Sequence, residues 1–526
     1  MAPQLLHLPD GQTFTVTPVF AGLGFKSHEM NTHPNAFPVG WNVVLHTEEE
    51  VELPFDAAEA AKAGSGSAPA PGPGPGPGPG PGPGSKQPAR TTRRVHPFVR
   101  PTLQNDTLFI SSISNPSSSD FKPAASPTRQ IAMMMWVTLY WYFHQPAPSP
   151  HLLDAPAARD TPGEAKPTGD WTISIRRDGV LRGRNLIPKL ERMGLIAARD
   201  SACGTGLDDA GDEWAHMFVS RRMFWQIPGH LFLFTLRPAS SVPGSPVASR
   251  PTSPVRGEPA LGHYLSMDGL ARLDGDPAPS VPAGPFHSTS HLPTYFPPPP
   301  LLYAVTAGVR HPVRPKPHRM GEIFYSRFVP SVGRYLSFRV ASTSARPVPH
   351  LGPVGTQPLG EHAHLAAMTD AQLLRMWMAK PRVADFWGEY RPGFLENALR
   401  LPHSFPVIGC WDGLPFGYFE IYWVKEDILG RHLSDRAGDF DRGIHVFVGE
   451  EWARGQVPAW LTSLVHWCFI ADNRTMSVCL EPRVDNARML RHLDEAGFGK
   501  ERQISFPHKQ SWLVRLWRDA WEGPAL

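Results

Sequence analysis

The sequence predicts a mixed α/β fold present in two copies, the second of which carries the chemistry. Three observations predict it. Residues 439–482 read as strand, turn, helix and strand, which is one parallel crossover unit. The 60 prolines and 47 glycines are clustered, mainly over 57–91 and 238–317, so they punctuate the chain rather than dilute it. The order strand, apolar helix, strand, helix in the second half also has a faint counterpart in the first.

The crossover unit comes first. From Gly443 to Glu450 the chain alternates, with Ile444, Val446 and Val448 to one side and His445 and Phe447 to the other. A turn follows with Arg454 and Gly455. Pro458 can open a helix because its missing N–H costs nothing in the first turn. Trp460, Leu461, Leu464, Val465 and Cys468 then recur at helical spacing. Asp472-Asn473-Arg474 breaks the run, and Thr475 to Leu480 is a short apolar strand. A turn in this position offers free backbone N–H groups to an anion, usually a phosphate.

Taken in order, residues 1–56 look strand-rich, with strands at Thr13 to Phe20 and Trp41 to His46. The Pro-Gly tract at about 57–91 has no side chains with which to build a core and reads as a solvated spacer. Globular character resumes with a strand at Leu108 to Ser112 and an apolar run, Ile131 to Phe143, whose length favours a helix. A strand at Trp171 to Ile175, a helix over Leu186 to Ile196 and a further strand or two in Trp214 to Ile227 complete an N-terminal domain over 1–237. Residues 238–317, with Pro297 to Pro300 in a row, read as a disordered linker.

Residues 318–526 form the most regular region. Strands are expected at Ile323 to Phe328 and Leu336 to Val340. Thr369 and Asp370 cap a helix whose Leu373, Leu374 and Trp377 share a face. Pro381 to Trp387 carries on as a short turn or helix, in which Trp387 reads as part of a packed turn, and Phe394 to Leu399 is another short helix. Val407 to Trp411 and Tyr418 to Val424 form a hairpin across Asp412-Gly413-Leu414-Pro415. After the crossover unit come a helix over Arg488 to Ala496 ended by Gly497, then strands at Gln503 to Phe506 and Ser511 to Leu516. In the first half, TLFISS, IAMMMWVTLYWYF, WTISI and NLIPKLERMGLI follow one another as the matching pieces do in the second. The first half has no counterpart of Asp441-Arg442-Gly443-Ile444-His445 or of the Glu481-Pro482 corner, which implies a duplicated fold with a degenerate N-terminal copy.

Composition narrows the function. A net charge of +3 is too small to argue for nucleic acid. Cys203, Cys410, Cys468 and Cys479 lack paired spacing, which argues against a disulfide framework or a zinc site and suits a reducing compartment. The N-terminus lacks a basic stretch followed by an apolar one, and no apolar run is long enough to span a bilayer. A cytosolic protein without metal or membrane segment is expected. The C-terminal Pro-Ala-Leu is a poor peroxisomal address.

The second half resembles one family in detail. HSFPVIGCWDGLPFGYFEIYWVKEDIL, DRGIHVFVGEE, RG, SLVHWCF, DNRT, EPRVDN and FPHK occur in order over His403 to Lys509. These segments are similar to those of the siderophore-biosynthesis N-acyltransferases, the aerobactin-type N-hydroxylysine acetyltransferases and fungal N-hydroxyornithine acyltransferases of the GNAT superfamily. The long insertions look like those of a fungal member. The resemblance implies acyl transfer from an acyl-CoA, acetyl-CoA foremost, to the hydroxylated side-chain nitrogen of N-hydroxyornithine or N-hydroxylysine, giving an iron-chelating hydroxamate. Association with other enzymes of the same pathway is a further expectation.

The resemblance also implies roles for residues. A hydroxylamine nitrogen is a good nucleophile at neutral pH, so the enzyme must orient it, accept a proton and stabilise an oxyanion. His445 is the implied acid/base residue. Bacterial relatives carry an Asp directly after Glu-Pro. Here Arg483 stands there and Asp485 follows, which leaves Asp485 or Glu481 as the assisting carboxylate; Asp485-Asn486 could equally cap the next helix. The CoA pyrophosphate is expected at Val448, Arg454, Gly455 and Gln456, although only part of the usual Arg-x-x-Gly-x-Gly/Ala pattern is present. Glu420, Tyr422 and Lys509 are expected to face the acceptor. Two other readings remain open at this point: a catalytically silent GNAT-fold binding protein and a general amine acetyltransferase.

Overall fold

Two large sheets repeat one plan. In the first, β1 (Gln4–His7), β2 (Thr13–Val19), β3 (Gly22–Ser27), β4 (Gly40–Glu52), β5 (Thr91–Pro97) and β6 (Asp106–Ser114) precede helix α1 (Pro127–Phe143). Strand β7 (Thr172–Ile175), α2 (Ile187–Arg192), β8 (Ala197–Ala198), β9 (Met217–Ser220) and α3 (Arg221–Trp225) follow. The spatial order is β1-β2-β3-β4-β6-β7-β9-β8, with β5 also paired to β4. A small hairpin, β10 (Tyr303–Thr306) and β11 (Val309–Pro312), leads into the second sheet.

That sheet opens with β12 (Ile323–Val329) and β13 (Arg334–Val340), then helices α4 (Asp370–Met378), α5 (Pro381–Trp387) and α6 (Phe394–Arg400). Strand β14 (Ser404–Trp411), β15 (Leu414–Trp423), α7 (Ile428–Leu433) and β16 (Arg442–Val448) come next. Helix α8 (Val457–Ala471), β17 (Ser477–Leu480), α9 (Ala487–Glu495), β18 (Gly499–Ser505) and β19 (Gln510–Trp517) complete it. The order is β12-β13-β14-β15-β16-β17-β19-β18. Each sheet has one parallel step, β6–β7 and β16–β17, spanned by the long helix α1 or α8. Each also places its last strand inside the strand before it. The faint sequence repeat is therefore a repeat of topology. These features belong to a computed structural model that describes residues 2–27, 40–52, 91–114, 127–152, 158, 160–183, 185–198, 216–233, 301–358, 360–433 and 436–526.

Local chemistry accounts for the elements that frame the site. Thr369 Oγ1 accepts the Gln372 N–H while Gln372 Oε1 accepts the Thr369 N–H, a capping box that starts α4. Asp370 then receives both Arg339 guanidinium nitrogens at 2.7 and 2.6 Å and the Ser342 N–H at 2.8 Å, which ties α4 to β13. The β14–β15 turn is tighter than the sequence suggests. Asp412 and Gly413 both take positive φ (46° and 83°), a two-residue turn, and Pro415 already lies in β15.

The two halves share one core. Helix α1 is buried on every face from Gln130 to Phe143 because the first sheet and the second half both cover it. At the seam the Trp225 ring lies 5.4 Å from His466, and the Tyr325 hydroxyl meets His466 Nδ1 at 2.8 Å. His7 stacks on Phe328 at 4.1 Å, and the Tyr335 hydroxyl donates to the Leu8 carbonyl. Burial holds His466 neutral, with its pKa pushed down to about 3.

Two expectations need correction. The segment expected as strands up to Ile227 is strand only to Ser220. Ser220 Oγ then accepts the Met223 N–H and starts α3. The expected linker over 238–317 also ends early. Its Pro-Gly-Ser-rich part lies outside the described residues, but Tyr303 to Pro312 form a hairpin turning at Ala307 and Gly308. Arg314 anchors that hairpin by pairing both Glu426 oxygens at 2.6 Å. The Pro-Gly tract at 57–91 lies almost wholly outside the described residues; only its last residue begins β5.

Candidate active site

The register of β15 and β16 builds the site. Glu420 stands opposite His445, and Tyr422 opposite Gly443. The period of two then puts Tyr418, Glu420 and Tyr422 on one face. Gly443 is required there, because a Cβ on it would overlap the Tyr422 ring. With the glycine in place, Tyr422 lies across β16, its ring 4.5 Å from that of His445.

His445 sits between two carboxylates. Its Nδ1 is 3.0 Å from Glu420 Oε2 and its Nε2 is 2.7 Å from Glu481 Oε1. With a carboxylate at each ring nitrogen, both nitrogens donate, and the ring is an imidazolium. Burial alone would pull the His445 pKa down. Glu481 and Glu420 overcome that and hold it well above its ordinary value. Burial would raise Glu481, but the imidazolium and Lys509 bring it down to about 2. The Tyr422 hydroxyl donates to Glu481 Oε2 at 3.0 Å, and the Tyr418 hydroxyl donates to Glu420 Oε1 at 2.8 Å. Burial, with the neighbouring carboxylates, keeps both phenols neutral. Lys509, from the β18–β19 turn, donates to the Glu481 carbonyl at 3.0 Å. The His445 side chain keeps about 29% of its surface accessible, so this chain of groups can be reached.

A cleft lies beside it. The parallel β16–β17 pairing covers only Arg442 and Gly443, so the two strands splay apart beyond Gly443. Beyond that point an open cleft lies between α5 and α9, lined by Trp387, Val446, Val448, Arg382, Arg454 and Arg488 among others. Its lining joins apolar side chains to three arginines. Side chains of α5 meet the exposed β16 edge: Trp387 Nε1 donates to the Val446 carbonyl at 3.3 Å, and Arg382 Nη1 to the Val448 carbonyl at 2.6 Å. Trp387 also meets the His445 ring edge-on, 6.2 Å between centroids. Sequence alone left this residue as part of a packed turn.

The structure thus brings His445, Glu420, Tyr422, Glu481 and Lys509 together. It leaves Asp485 out. Arg483 grips the Asp485 carboxylate at 2.6 and 2.9 Å on the exposed surface, and Asn486, not Asp485, caps α9 by accepting the Met489 N–H. Of the residues expected around the CoA phosphates, Val448 and Arg454 line the cleft, whereas Gly455 and Gln456 do not. Their segment is a 3-10 turn, Glu451–Gln456, running into α8. Tyr418 was missed, although the alternation through Glu420 and Tyr422 points to it.

Residues 366–506 match the model of the acetyltransferase (GNAT) domain. The chain is 58% identical over 533 residues to the N5-hydroxyornithine acetylase sidL of Beauveria bassiana (strain ARSEF 2860), covering 97% of this chain and 100% of that protein. The chain belongs to the siderophore-biosynthesis N-acyltransferase family of the GNAT superfamily. It is an enzyme, a hydroxamate-forming N-acyltransferase. Family members more distant in sequence match a smaller share of the chain. The N(6)-hydroxylysine O-acetyltransferase of Escherichia coli is 39% identical over 41% of this chain and 61% of its own length. The N(5)-hydroxyornithine:cis-anhydromevalonyl coenzyme A-N(5)-transacylase SIDF of Beauveria bassiana is 35% identical over 39% of this chain and 41% of that protein. The first sheet repeats the plan of the second without its site. Its β6, DTLFISSIS, holds no histidine, and its carboxylate, Asp106, is fully engaged by Tyr142, Thr47 and the Thr102 N–H. Among the described residues no helix is long and apolar enough to cross a membrane.

Proposed function

We propose that the chain transfers an acetyl group from acetyl-CoA to the side-chain nitrogen of N5-hydroxyornithine. The observation that carries this reading is the imidazolium of His445 held between Glu420 and Glu481, with Trp387 of the neighbouring cleft against its ring. The name of the Beauveria relative, an N5-hydroxyornithine acetylase, supports the choice of acceptor and acyl group. In the reaction an N–C bond forms, the C–S bond breaks, and the proton lost by nitrogen ends on the CoA thiolate. A site with carboxylates to accept a proton and an imidazolium to give one can move it with no net change in charge. Glu420 or Glu481 accepts from nitrogen, His445 donates to the departing sulfur, and the shared hydrogen bonds restore the pair. Tyr418 and Tyr422 act as fixed neutral donors that keep the carboxylates oriented. Lys509 positions the Glu481 segment, and Arg454 with Val448 borders the CoA. Asp485 has no part in this scheme. The protein would work in the cytoplasm, beside the enzymes that supply its hydroxylated acceptor.

The test is thiol release from a panel of acyl-CoAs with N-hydroxy-L-ornithine, N-hydroxy-L-lysine and a lysine peptide as acceptors. Rapid release is expected with acetyl-CoA and the ornithine acceptor. His445→Ala should lower kcat by roughly 10²- to 10⁴-fold, the usual contribution of an acid/base residue. Release with the lysine peptide alone would replace this reading by general amine acetylation, and no release from a folded protein would leave a binding role.

A further inference from the structure

The seam between the two sheets holds a second cavity, which shares no lining residue with the cleft. Its volume is about 20 Å³, room for a small ion or a water or two and too little for a metabolite. Trp136 and Tyr140 of α1 and Trp225 of α3 line it from the first half of the chain. Arg327 of β12 and His466 of α8 line it from the second.

Arg327 brings a positive charge to this wall. It is 2% exposed, and its Nη2 donates to the Ala525 carbonyl. Its Nε and Nη1 are buried and meet no acceptor among the described residues, and no described carboxylate pairs with it. Asp10, on the turn beside Pro9, is taken up by Gln12, whose backbone N–H and side-chain amide both donate to it. Burial raises the pKa of the Tyr140 phenol, so it keeps its proton, and the charge of Arg327 is felt there. The Tyr140 hydroxyl and the indole N–H groups of Trp136 and Trp225 are likewise buried without a partner among the described residues. His466 is neutral and brings no charge. The wall therefore offers guanidinium, phenol and indole donors together. A guanidinium buried without a counter-charge costs several kcal/mol, and donors left unmade in such a place add to that cost.

We infer that the seam cavity binds a chloride-sized monoanion, held by Arg327 Nε and Nη1 and by the Tyr140 hydroxyl. The ion neutralises the buried guanidinium and takes donors from both halves of the chain at once, so it pins the seam. A water molecule is the rival occupant. Water satisfies hydrogen bonds but supplies no charge. The inference does not depend on the acyl-transfer reading, because the cavity and the cleft have no residue in common.

The experiment is thermal unfolding of the full-length protein in chloride, bromide or gluconate at one ionic strength, with anomalous scattering from crystals grown in bromide. The wild-type midpoint should rise with chloride or bromide and then saturate, as binding to the folded state alone requires. Gluconate, too large for the cavity, should leave it unmoved. A bromide peak should lie within hydrogen-bond reach of Arg327 and Tyr140. Tyr140→Phe removes one donor to the ion and should raise the half-saturating chloride concentration by roughly tenfold. Arg327→Met should abolish the response; if that variant does not fold, Tyr140→Phe still decides. Equal midpoints in chloride and gluconate, an unmoved half-saturation in Tyr140→Phe, or a water in place of bromide in the cavity would each overturn the inference.

Discussion

Replacing Glu481 by Gln tests whether the buried carboxylate, rather than Asp485, governs His445. Glu481 is 7% exposed and holds His445 Nε2 at 2.7 Å. The change keeps the shape of the side chain and removes its charge, so the imidazolium loses the nearer of its two carboxylates. Breaking such a buried pair costs about 3 kcal/mol. The dependence on pH follows from the directions of the two shifts. The pKa of His445 is raised on folding, so its contribution to stability is complete below its ordinary value of 6.5 and is lost as the pH rises through the higher folded value. That of Glu481 is lowered from 4.5, so its contribution is complete above that value and is lost as the pH falls toward about 2. The deficit of Glu481→Gln should therefore be largest between about pH 5 and neutrality, narrow in acid, and narrow again once wild-type His445 gives up its proton. Urea unfolding across this range, with an NMR titration of His445, measures both quantities. In the variant His445 should titrate at a lower pH than in the wild type. A deficit that does not vary with pH, or an unmoved His445 titration, would refute the reasoning. Asp485→Asn serves as the contrast: its carboxylate is exposed and bound only to Arg483, so His445 titration and turnover should stay near wild type.

Two further perturbations probe the frame. Gly443→Ala places a methyl group inside the Tyr422 ring; overpacking of this kind costs about 1–3 kcal/mol, and turnover should fall further than stability because Tyr422 loses its hold on Glu481, which paired melting and rate measurements would show. Asp370→Ala leaves Arg339, 4% exposed, without its carboxylate; a loss of about 3–5 kcal/mol is expected in chemical denaturation, and a loss below 1 kcal/mol would mean that the pair does not anchor α4.

Much of this architecture was legible because local chemistry decided it. The crossover through α8 and the Thr369 cap each announce themselves in a few residues. His445 was legible through its motif. Its carboxylate partners were harder. Whether Glu481 or Asp485 meets the ring depends on how the chain turns at Pro482. There Arg483 bridges to Ser511 at the sheet edge and turns its guanidinium outward onto Asp485, and no sequence pattern encodes that direction. The Glu420–His445 contact depends on the register of two strands separated by an 18-residue connection including α7, 424–441, which the turn chemistry does not fix. The hairpin at Tyr303 to Pro312 was hidden because its turn places Ala307 at positive φ, a position where Asn or Gly gives the usual signal.

The shared core at the seam has a consequence for how the molecule is held together. Two proteins that met through Trp225, Tyr325 and His466 would form a pair only above some concentration. Joined in one chain, the same surfaces meet at an effective concentration set by the connection, and dilution cannot part them. The first sheet thus persists as a permanent tenant of a face that the second sheet cannot leave bare. A fragment beginning near residue 318 would expose Tyr325, His466 and Trp521, all buried in the whole chain, and would trade a folding problem for a solubility problem. The lobe without the His445 counterpart covers apolar surface of the lobe that has it.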